Sequence, residues 1–288
     1  MMAALDDLER RVASALVTDD RSDIDVLGYG EISTVLRLEV DGVALACKRL
    51  PPFPGDSLRA YRDAMTAYIA ALANRGLVVA SSTIERTGDA TGGAVYCVQP
   101  IEERLLVDHL RQADAEEIAA LAERLISLVM RAIDDRVGLD AQISNWAIRP
   151  GGNLVYFDVT TPFIRDEAGN EMLDFRLVIA SLPAFMRPPV RRFLLPEILS
   201  HYYDPRAALL DLVANLKKEK LAHVLPAFLA ATNDVVSPPI MSKEVDRYYR
   251  SDAVMWEILQ RLRRADRWWQ RTIRRRQYPF LLPGKVDR

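Results

Sequence analysis

Three oxygen-bearing side chains near the middle of the chain have types and spacing suited to chemistry on phosphate groups. Asp140 and Asn145 stand in the pattern D-x-x-x-x-N, and Asp158 follows after the segment WAIRPGGNLVYF. Phosphoryl transfer requires a carboxylate that positions the acceptor hydroxyl and oxygen ligands for magnesium, all close to the terminal phosphate. Because Gly151-Gly152 join two apolar runs, the segment predicts a hairpin that returns Asp158 to the loop carrying Asp140 and Asn145.

A second group of residues lies near the N-terminus. Gly28 and Gly30, in Gly28-Tyr29-Gly30, end the first predicted strand. Glycine lets backbone amides approach phosphate oxygens without a Cβ in the way. Lys48 follows eighteen residues beyond Gly30, on a predicted strand that reads Ala46-Cys47-Lys48. Taken singly, Gly28-Tyr29-Gly30 is a turn and a lysine on a strand is usually solvated, so the order of these residues along the chain carries the interpretation.

That order resembles the protein-kinase-like superfamily, and is closest in character to its aminoglycoside phosphotransferase and choline kinase branches. A glycine loop, a strand lysine, a helix, further strands, a hinge, helices, a D-x-x-x-x-N loop, a hairpin and an aspartate occur in the sequence that this fold requires. The resemblance covers residues 23–165 and implies a two-lobed fold. It also implies ATP and Mg²⁺ as cofactors and a hydroxyl of a small molecule or peptide as acceptor.

The resemblance assigns a role to each matching residue. Asp140 takes the catalytic position, and Asn145 and Asp158 hold the metal, with Asp158-Val159-Thr160 in place of the DFG motif. Lys48 corresponds to the lysine that holds the α and β phosphates. Val98 opens the hinge Val98-Gln99-Pro100, where the nucleotide is expected to bind.

Several positions depart from the family pattern. Ser33 fills the third glycine position, and the predicted helix over 56–75 offers Asp56 and Asp63 but no glutamate to pair with Lys48. The histidine that precedes the catalytic aspartate in the family is replaced by Gly138-Leu139, and Gln142 replaces a second histidine. These departures motivate an alternative: a pseudokinase scaffold that binds nucleotide or a protein partner without phosphoryl transfer.

The elements around these motifs predict an α+β protein with a small antiparallel-sheet N-lobe and a mainly helical C-lobe. Residues 1–22 are expected to form a lead-in helix, 23–99 the nucleotide-binding lobe and 100–288 the helical lobe. Asp41-Gly42 between two β-branched runs predicts a type I′ hairpin turn. Further strands are predicted at 78–85 and 94–98.

The C-terminal segment 261–276, RLRRADRWWQRTIRRR, combines arginines with two tryptophans. One interpretation is an amphipathic helix whose Trp, Leu and Ile side chains pack on the lobe while the arginines face water or snorkel. The other is a surface that grips an anionic polymer. The segment is the only sequence feature that points toward nucleic acid, which we otherwise do not expect as a partner.

Composition excludes several classes of protein. A formal charge of −2 gives no overall attraction to nucleic acid or anionic membranes, and two cysteines cannot build a disulfide framework. The first residues have the wrong charge order for a secretory signal, and no apolar run approaches the roughly 20 residues that span a bilayer. We therefore expect a cytoplasmic protein with a small-molecule or peptide acceptor, without a membrane partner and with room for a protein partner.

Overall fold

A computed structural model describes residues 1–30, 33–53, 57–88, 93–184, 186–276 and 278–282. It confirms the α+β class. The strands are β1 (Val26–Tyr29), β2 (Thr34–Val40), β3 (Val43–Arg49), β4 (Val78–Val79), β5 (Thr83–Arg86), β6 (Val95–Pro100), β7 (Trp146–Arg149) and β8 (Asn153–Tyr156). The helices are α1 (Met2–Thr18), α2 (Ser57–Asn74), α3 (Leu106–Leu110), α4 (Ala115–Ala132), α5 (Arg187–Pro189), α6 (Leu195–Tyr202), α7 (Pro205–Lys218), α8 (Leu225–Asn233) and α9 (Ser242–Trp268).

Five of the strands form one antiparallel sheet in the order β1-β2-β3-β6-β5. The predicted turn between β2 and β3 is confirmed, since Asp41 has φ 52° and Gly42 has φ 76°, the left-handed values that a type I′ turn needs. The predicted single strand over 78–85 was wrong. Residues 78–79 pair with β8 in another sheet, whereas 83–86 pair with β6.

The two faces of this sheet are covered by different helices. Tyr96 and Val98 point to the face under α1, where Leu5, Leu8 and Val12 are buried against them. Val95 and Cys97, the alternate residues of β6, face α2 and join the main core. Because side chains alternate along a strand, one β strand contributes to both cores. Helix α1 is therefore an integral layer of the fold.

The second sheet joins a strand from the N-terminal third of the chain to the hairpin at its middle. Strands β7 and β8 form the predicted hairpin, in which Gly151 and Gly152 have φ 80° and 78°. Strand β4, which follows α2, adds to β8 in parallel. The order is thus β4-β8-β7, and the end of α2 is held beside the hairpin.

Most of the remaining chain is helical, as the sequence predicts. Asp114 caps α4 by accepting a hydrogen bond from the backbone NH of Glu117, and Asp204 caps α7 in the same way. Helix α4 packs against α8, and α7 packs against α6, α8 and α9. No helix among the described residues combines the length and apolarity that crossing a membrane requires.

The arginine-rich C-terminal helix does not follow the simple amphipathic expectation. Arg263 is buried with 1% exposure, whereas Trp268 and Trp269 are 59% and 48% exposed. The reason is the tail over residues 278–282, which folds back so that the Arg263 guanidinium lies 5.6 Å from the Phe280 ring centre. The interpretation in which the tryptophans pack on the lobe while the arginines face water or snorkel was therefore wrong for Trp268, Trp269 and Arg263.

Helix α9 contacts two other helices that lie far apart in the chain. Near its start, Arg206 of α7 makes two hydrogen bonds of 2.9 Å to the Glu244 carboxylate. Near its end, Arg267 pairs with Asp19, the residue that caps the C-terminus of α1, and Arg271, just beyond α9, pairs with the same carboxylate. Helix α9 therefore runs from the helical portion to the layer that covers the five-stranded sheet.

Candidate active site

Strand β3 places Lys48 on the side of the sheet that faces α2 and the hairpin. Lys48 is paired with Cys97, whose side chain lies in the main core, while its neighbour Cys47 points to the α1 side. From this position the Lys48 Nζ lies 2.7 Å from Asp158 Oδ1. The amine of the opening sheet and the carboxylate after the hairpin therefore meet.

The loop with the D-x-x-x-x-N pattern is held by its own backbone. Asn145 Nδ2 donates to the Asp140 carbonyl oxygen at 3.2 Å, and the Gln142 NH donates to Asp140 Oδ1 at 3.3 Å. At the end of β8, the Phe157 NH donates to the Asn145 carbonyl oxygen at 3.1 Å. This last bond sets Asp158 directly beside the loop, as the hairpin predicts.

Gly138, two residues before Asp140, stands at a position where a side chain would not fit. A Cβ at this position would lie 2.8 Å from the Tyr202 carbonyl oxygen and 3.0 Å from Phe163 Cβ. The Gly138 NH donates to the Phe163 carbonyl oxygen at 2.9 Å. The loop is thus supported by close backbone packing against Phe163 and Tyr202.

Asp158 is charged in a largely buried setting. Burial disfavours its carboxylate, but the Lys48 ammonium and hydrogen bonds from Thr160 outweigh it, so the pKa of Asp158 is lowered. The Thr160 hydroxyl donates to Asp158 Oδ1 at 2.9 Å. The sequence interpretation gave Thr160 no role, although Asp-x-Thr is a pattern in which the two side chains and nearby backbone often bond.

Helix α2 supports the site with two tyrosines. The Tyr61 hydroxyl donates to the Thr160 carbonyl oxygen at 2.9 Å, and the Tyr68 hydroxyl donates to the Gly138 carbonyl oxygen at 3.0 Å. Burial raises the pKa of Tyr61, so its hydroxyl stays protonated and can donate. Asp63 is exposed, and Asp56 lies outside the described residues.

A single cavity of about 550 Å³ brings most of the predicted residues together. Its walls include Gly30, Lys48, Asp140, Asn145 and Asp158, together with Ser33, which fills the third glycine position. An added Cβ at Gly30 would lie 2.7 Å from the Ser33 hydroxyl oxygen.

Two predicted nucleotide-binding residues lie elsewhere. Neither Gly28 nor Val98 is among the described residues that line this cavity. Gly28 lies at an irregularity in the pairing of β1 with β2, and the Val98 side chain is buried in the cluster under α1. The structure therefore brings the Val98 side chain into the core rather than into the cleft.

A polar network behind the loop centres on Gln142. Its Nε2 donates to Asp211 Oδ2 at 3.1 Å, and its Oε1 accepts from Asn215 Nδ2 at 3.2 Å and from Lys218 Nζ at 3.3 Å. Burial raises the pKa of Asp211 to about 6, and the negative charge of Asp252 contributes to this rise. The hydrogen bond from Gln142 acts in the opposite direction and lowers the pKa. Sequence reasoning missed this network because its α7 members lie about 70 residues from the loop.

Two of the oxygen donors that line the cavity, on Asn145 and Asp158, could serve as ligands of a metal ion. Among the described residues, no group of three or more His, Cys, Asp or Glu side chains is arranged to hold a metal ion. Magnesium in phosphate-transferring sites uses one or two protein oxygens, waters and the substrate phosphates. The amide oxygen of Asn145 could act in this way because its amide nitrogen is the atom that donates to the loop.

Comparison with protein-family models matches residues 7–267 to one family, which is described as a family of unknown function (DUF6206). The search for curated relatives gave no match. The family description names no activity, so a functional assignment depends on the chemistry of the cavity.

Proposed function

We propose that this chain, which belongs to the family of unknown function DUF6206, is an ATP-dependent phosphotransferase with a two-lobed, protein-kinase-like fold. The observation that carries the proposal is the contact between Lys48 and Asp158 at 2.7 Å, in a cavity also lined by Asp140 and Asn145. An amine and two oxygen ligands that converge beside a second carboxylate are the groups that phosphoryl transfer requires.

Each residue would have a distinct role. Lys48 would neutralise phosphate charge once nucleotide separates it from Asp158, and Asn145 and Asp158 would hold magnesium, which supplies further neutralisation when bound. Asp140 would orient the acceptor hydroxyl and accept its proton. Gly30 and Ser33 line the same cavity and would place backbone and hydroxyl groups near the phosphates.

The direct test compares Asp158→Ala with Asp135→Ala, an exposed aspartate outside the cavity. We expect magnesium-ATP to raise the melting temperature of the unchanged protein, because a ligand that binds the native state stabilises it. Asp158→Ala should lose that shift and reduce phosphoryl transfer by about 100-fold or more, whereas Asp135→Ala should retain both. Unchanged turnover in Asp158→Ala would refute the assignment.

One observation favours a second candidate, the pseudokinase scaffold. Lys48 has Asp158 as its ion-pair partner, and Asp63, the described aspartate of α2, is exposed. Helix α2 instead reaches this segment through Tyr61, whose hydroxyl donates to the Thr160 carbonyl oxygen. A scaffold of this kind would be stabilised by ATP without releasing ADP or transferring phosphate. The same thermal-shift experiment, run beside an assay of ADP release, separates the two functions.

A further inference from the structure

The lining of the cavity has two chemically different parts. One part carries Lys48, Asp140, Asn145 and Asp158, as described above. Another part comes from the described residues between Phe163 and Tyr202, and this stretch contributes only apolar or aromatic side chains to the wall. One ligand could therefore place a polar group against the first part and an apolar body against the second.

This wall is apolar even though the stretch of chain that forms it also carries charged residues. Arg165 pairs with Glu171 at 2.8 Å, and Arg176 pairs with Asp174 at 2.7 Å. None of these four is among the described residues that line the cavity. These two ion pairs thus lie outside the wall, to which the stretch contributes only apolar or aromatic side chains.

The apolar wall begins at the catalytic loop itself. Phe163 and Tyr202 stack with ring centres 4.0 Å apart, and their carbonyl oxygens accept hydrogen bonds from the NH groups of Gly138 and Leu139. Asp140 is the next residue. A ligand whose hydroxyl reaches Asp140 would therefore have its body against the aromatic pair.

The wall continues along α6 to the protein surface. Leu199 is buried and lines the cavity, whereas Ile198 lines it and is 46% exposed. Next to α6, Leu194 and Phe193 are 45% and 72% exposed. Apolar side chains of the wall thus extend to the protein surface at α6. The other charged lining residues, Lys218, Glu219 and Asp252, belong to the end of α7 and to α9, and Lys218 is bonded to Gln142.

We propose that the acceptor is an amphiphilic alcohol: an uncharged apolar chain that lies along the Phe163–Tyr202 wall and presents a hydroxyl to Asp140. This inference rests on the proposed phosphotransferase function for its reaction step. The hydroxyl oxygen would form a bond to the γ-phosphorus of ATP as the bond from that phosphorus to the β–γ bridging oxygen breaks. The hydroxyl proton passes to Asp140, the electron pair leaves with ADP, and the product is a phosphate monoester.

The test uses a series of 1-alkanols from 1-butanol to 1-octanol, with glycerol and 2-aminoethanol as polar and charged comparators. Binding is measured without nucleotide by saturation-transfer NMR, and ester formation is measured with radiolabelled ATP. We expect affinity to rise roughly fourfold for each added methylene, as burial of hydrocarbon predicts. The rate of phosphate-ester formation should likewise rise with the chain length of the alkanol.

Two isoleucines of nearly equal exposure provide the matched variants. Ile198 is 46% exposed and lines the cavity, whereas Ile258 on α9 is 47% exposed and is not among its described lining residues. Ile198→Glu should weaken 1-octanol binding by about tenfold or more, because a charge at the wall must keep its water. Ile258→Glu should leave octanol binding unchanged.

The outcomes distinguish this inference from the proposed function. Octanol binding without magnesium-ATP binding would retain the apolar site and overturn the phosphotransferase. Magnesium-ATP binding with no dependence on chain length, or with tighter binding of glycerol or 2-aminoethanol, would overturn the amphiphilic acceptor alone. Equal effects of the two glutamate variants would also overturn it.

Discussion

Lys48 Nζ and Asp158 Oδ1 lie 2.7 Å apart although their residues are separated by 110 positions in the chain. The contact joins the five-stranded sheet to the segment after the β7–β8 hairpin. The two side chains are 16% and 27% exposed, so the pair is only weakly screened by water. Its energetic effect should therefore be measurable.

Replacing Lys48 by Met leaves the Asp158 carboxylate without its cation. We expect the free energy of unfolding at pH 7 to fall by about 2 kcal/mol, less than for a fully buried pair because both groups retain some water. The lowered pKa of Asp158 contributes stability above the ordinary carboxyl pKa near 4, and this contribution is lost as the pH falls through the folded-state value.

The difference between the unchanged protein and Lys48→Met should thus be largest at pH 7 and shrink below about pH 4. Urea unfolding at several pH values measures it. Lys243→Met, which removes an exposed lysine near the start of α9, serves as the control and should change stability little. Equal stability of the two variants at pH 7 would contradict the prediction.

Asp211 should make the protein less stable as the pH rises. Its pKa of about 6 lies above that of an unfolded carboxyl, so the folded state binds the proton more tightly. Stability is then greatest below about pH 4, falls between about pH 4 and the folded value of about 6, and stays lower above it. The full difference corresponds to roughly 3 kcal/mol.

Asp211→Asn should remove most of this pH dependence, because the amide keeps an oxygen for the Gln142 hydrogen bond and does not ionise. The variant should therefore be more stable than the unchanged protein at pH 7.5 and nearly equal at pH 4. Denaturant unfolding at both values measures the effect, with Asp234→Asn at an exposed position as control. A parallel pH profile for Asp211→Asn and the unchanged protein would count against the raised pKa.

Glu9 should anchor α1 to the sheet. Its carboxylate accepts hydrogen bonds from Arg49 at 2.8 and 2.9 Å and from the Tyr96 hydroxyl at 2.5 Å. Glu9→Gln would leave the partly buried Arg49 guanidinium without its anion and should cost about 3 kcal/mol of unfolding free energy.

The matched control for this variant is Glu39→Gln, because Glu39 is exposed on β2 of the same sheet. Thermal unfolding compares the two. If α1 were only a lead-in to the fold, both variants would unfold at the same temperature, so an unchanged melting point in Glu9→Gln would reject its role as a structural layer.

Much of the local structure was predictable from the sequence because short-range chemistry determines it. The Asp41-Gly42 and Gly151-Gly152 turns have the positive φ angles that their residue types favour. The apolar spacing of residues 2–17 identified α1, and the hairpin before Asp158 identified the carboxylate that returns to the loop. Each of these features depends on neighbours within a few residues.

Partners across long separations were not predictable in the same way. The resemblance led us to expect Lys48 near the side chains of the hairpin region, and the structure pairs it with Asp158. It also led us to seek a helix carboxylate for Lys48, whereas the structure uses Tyr61 of α2 to support Thr160. The parallel pairing of β4 with β8 and the burial of Arg263 beneath Phe280 were missed. In each case two segments that are distant in the sequence pack together, and the local sequence of one segment does not identify the other.

By itself the sequence determined the α+β class, the two hairpin turns and the set of residues capable of phosphate chemistry, because periodicity and turn preferences act locally. Only the tertiary structure decided that Lys48 meets Asp158, that the Val98 side chain lies in the core and that the cavity has an apolar wall beside Asp140. Those outcomes depend on which buried surfaces pack together, and packing is a property of the whole chain.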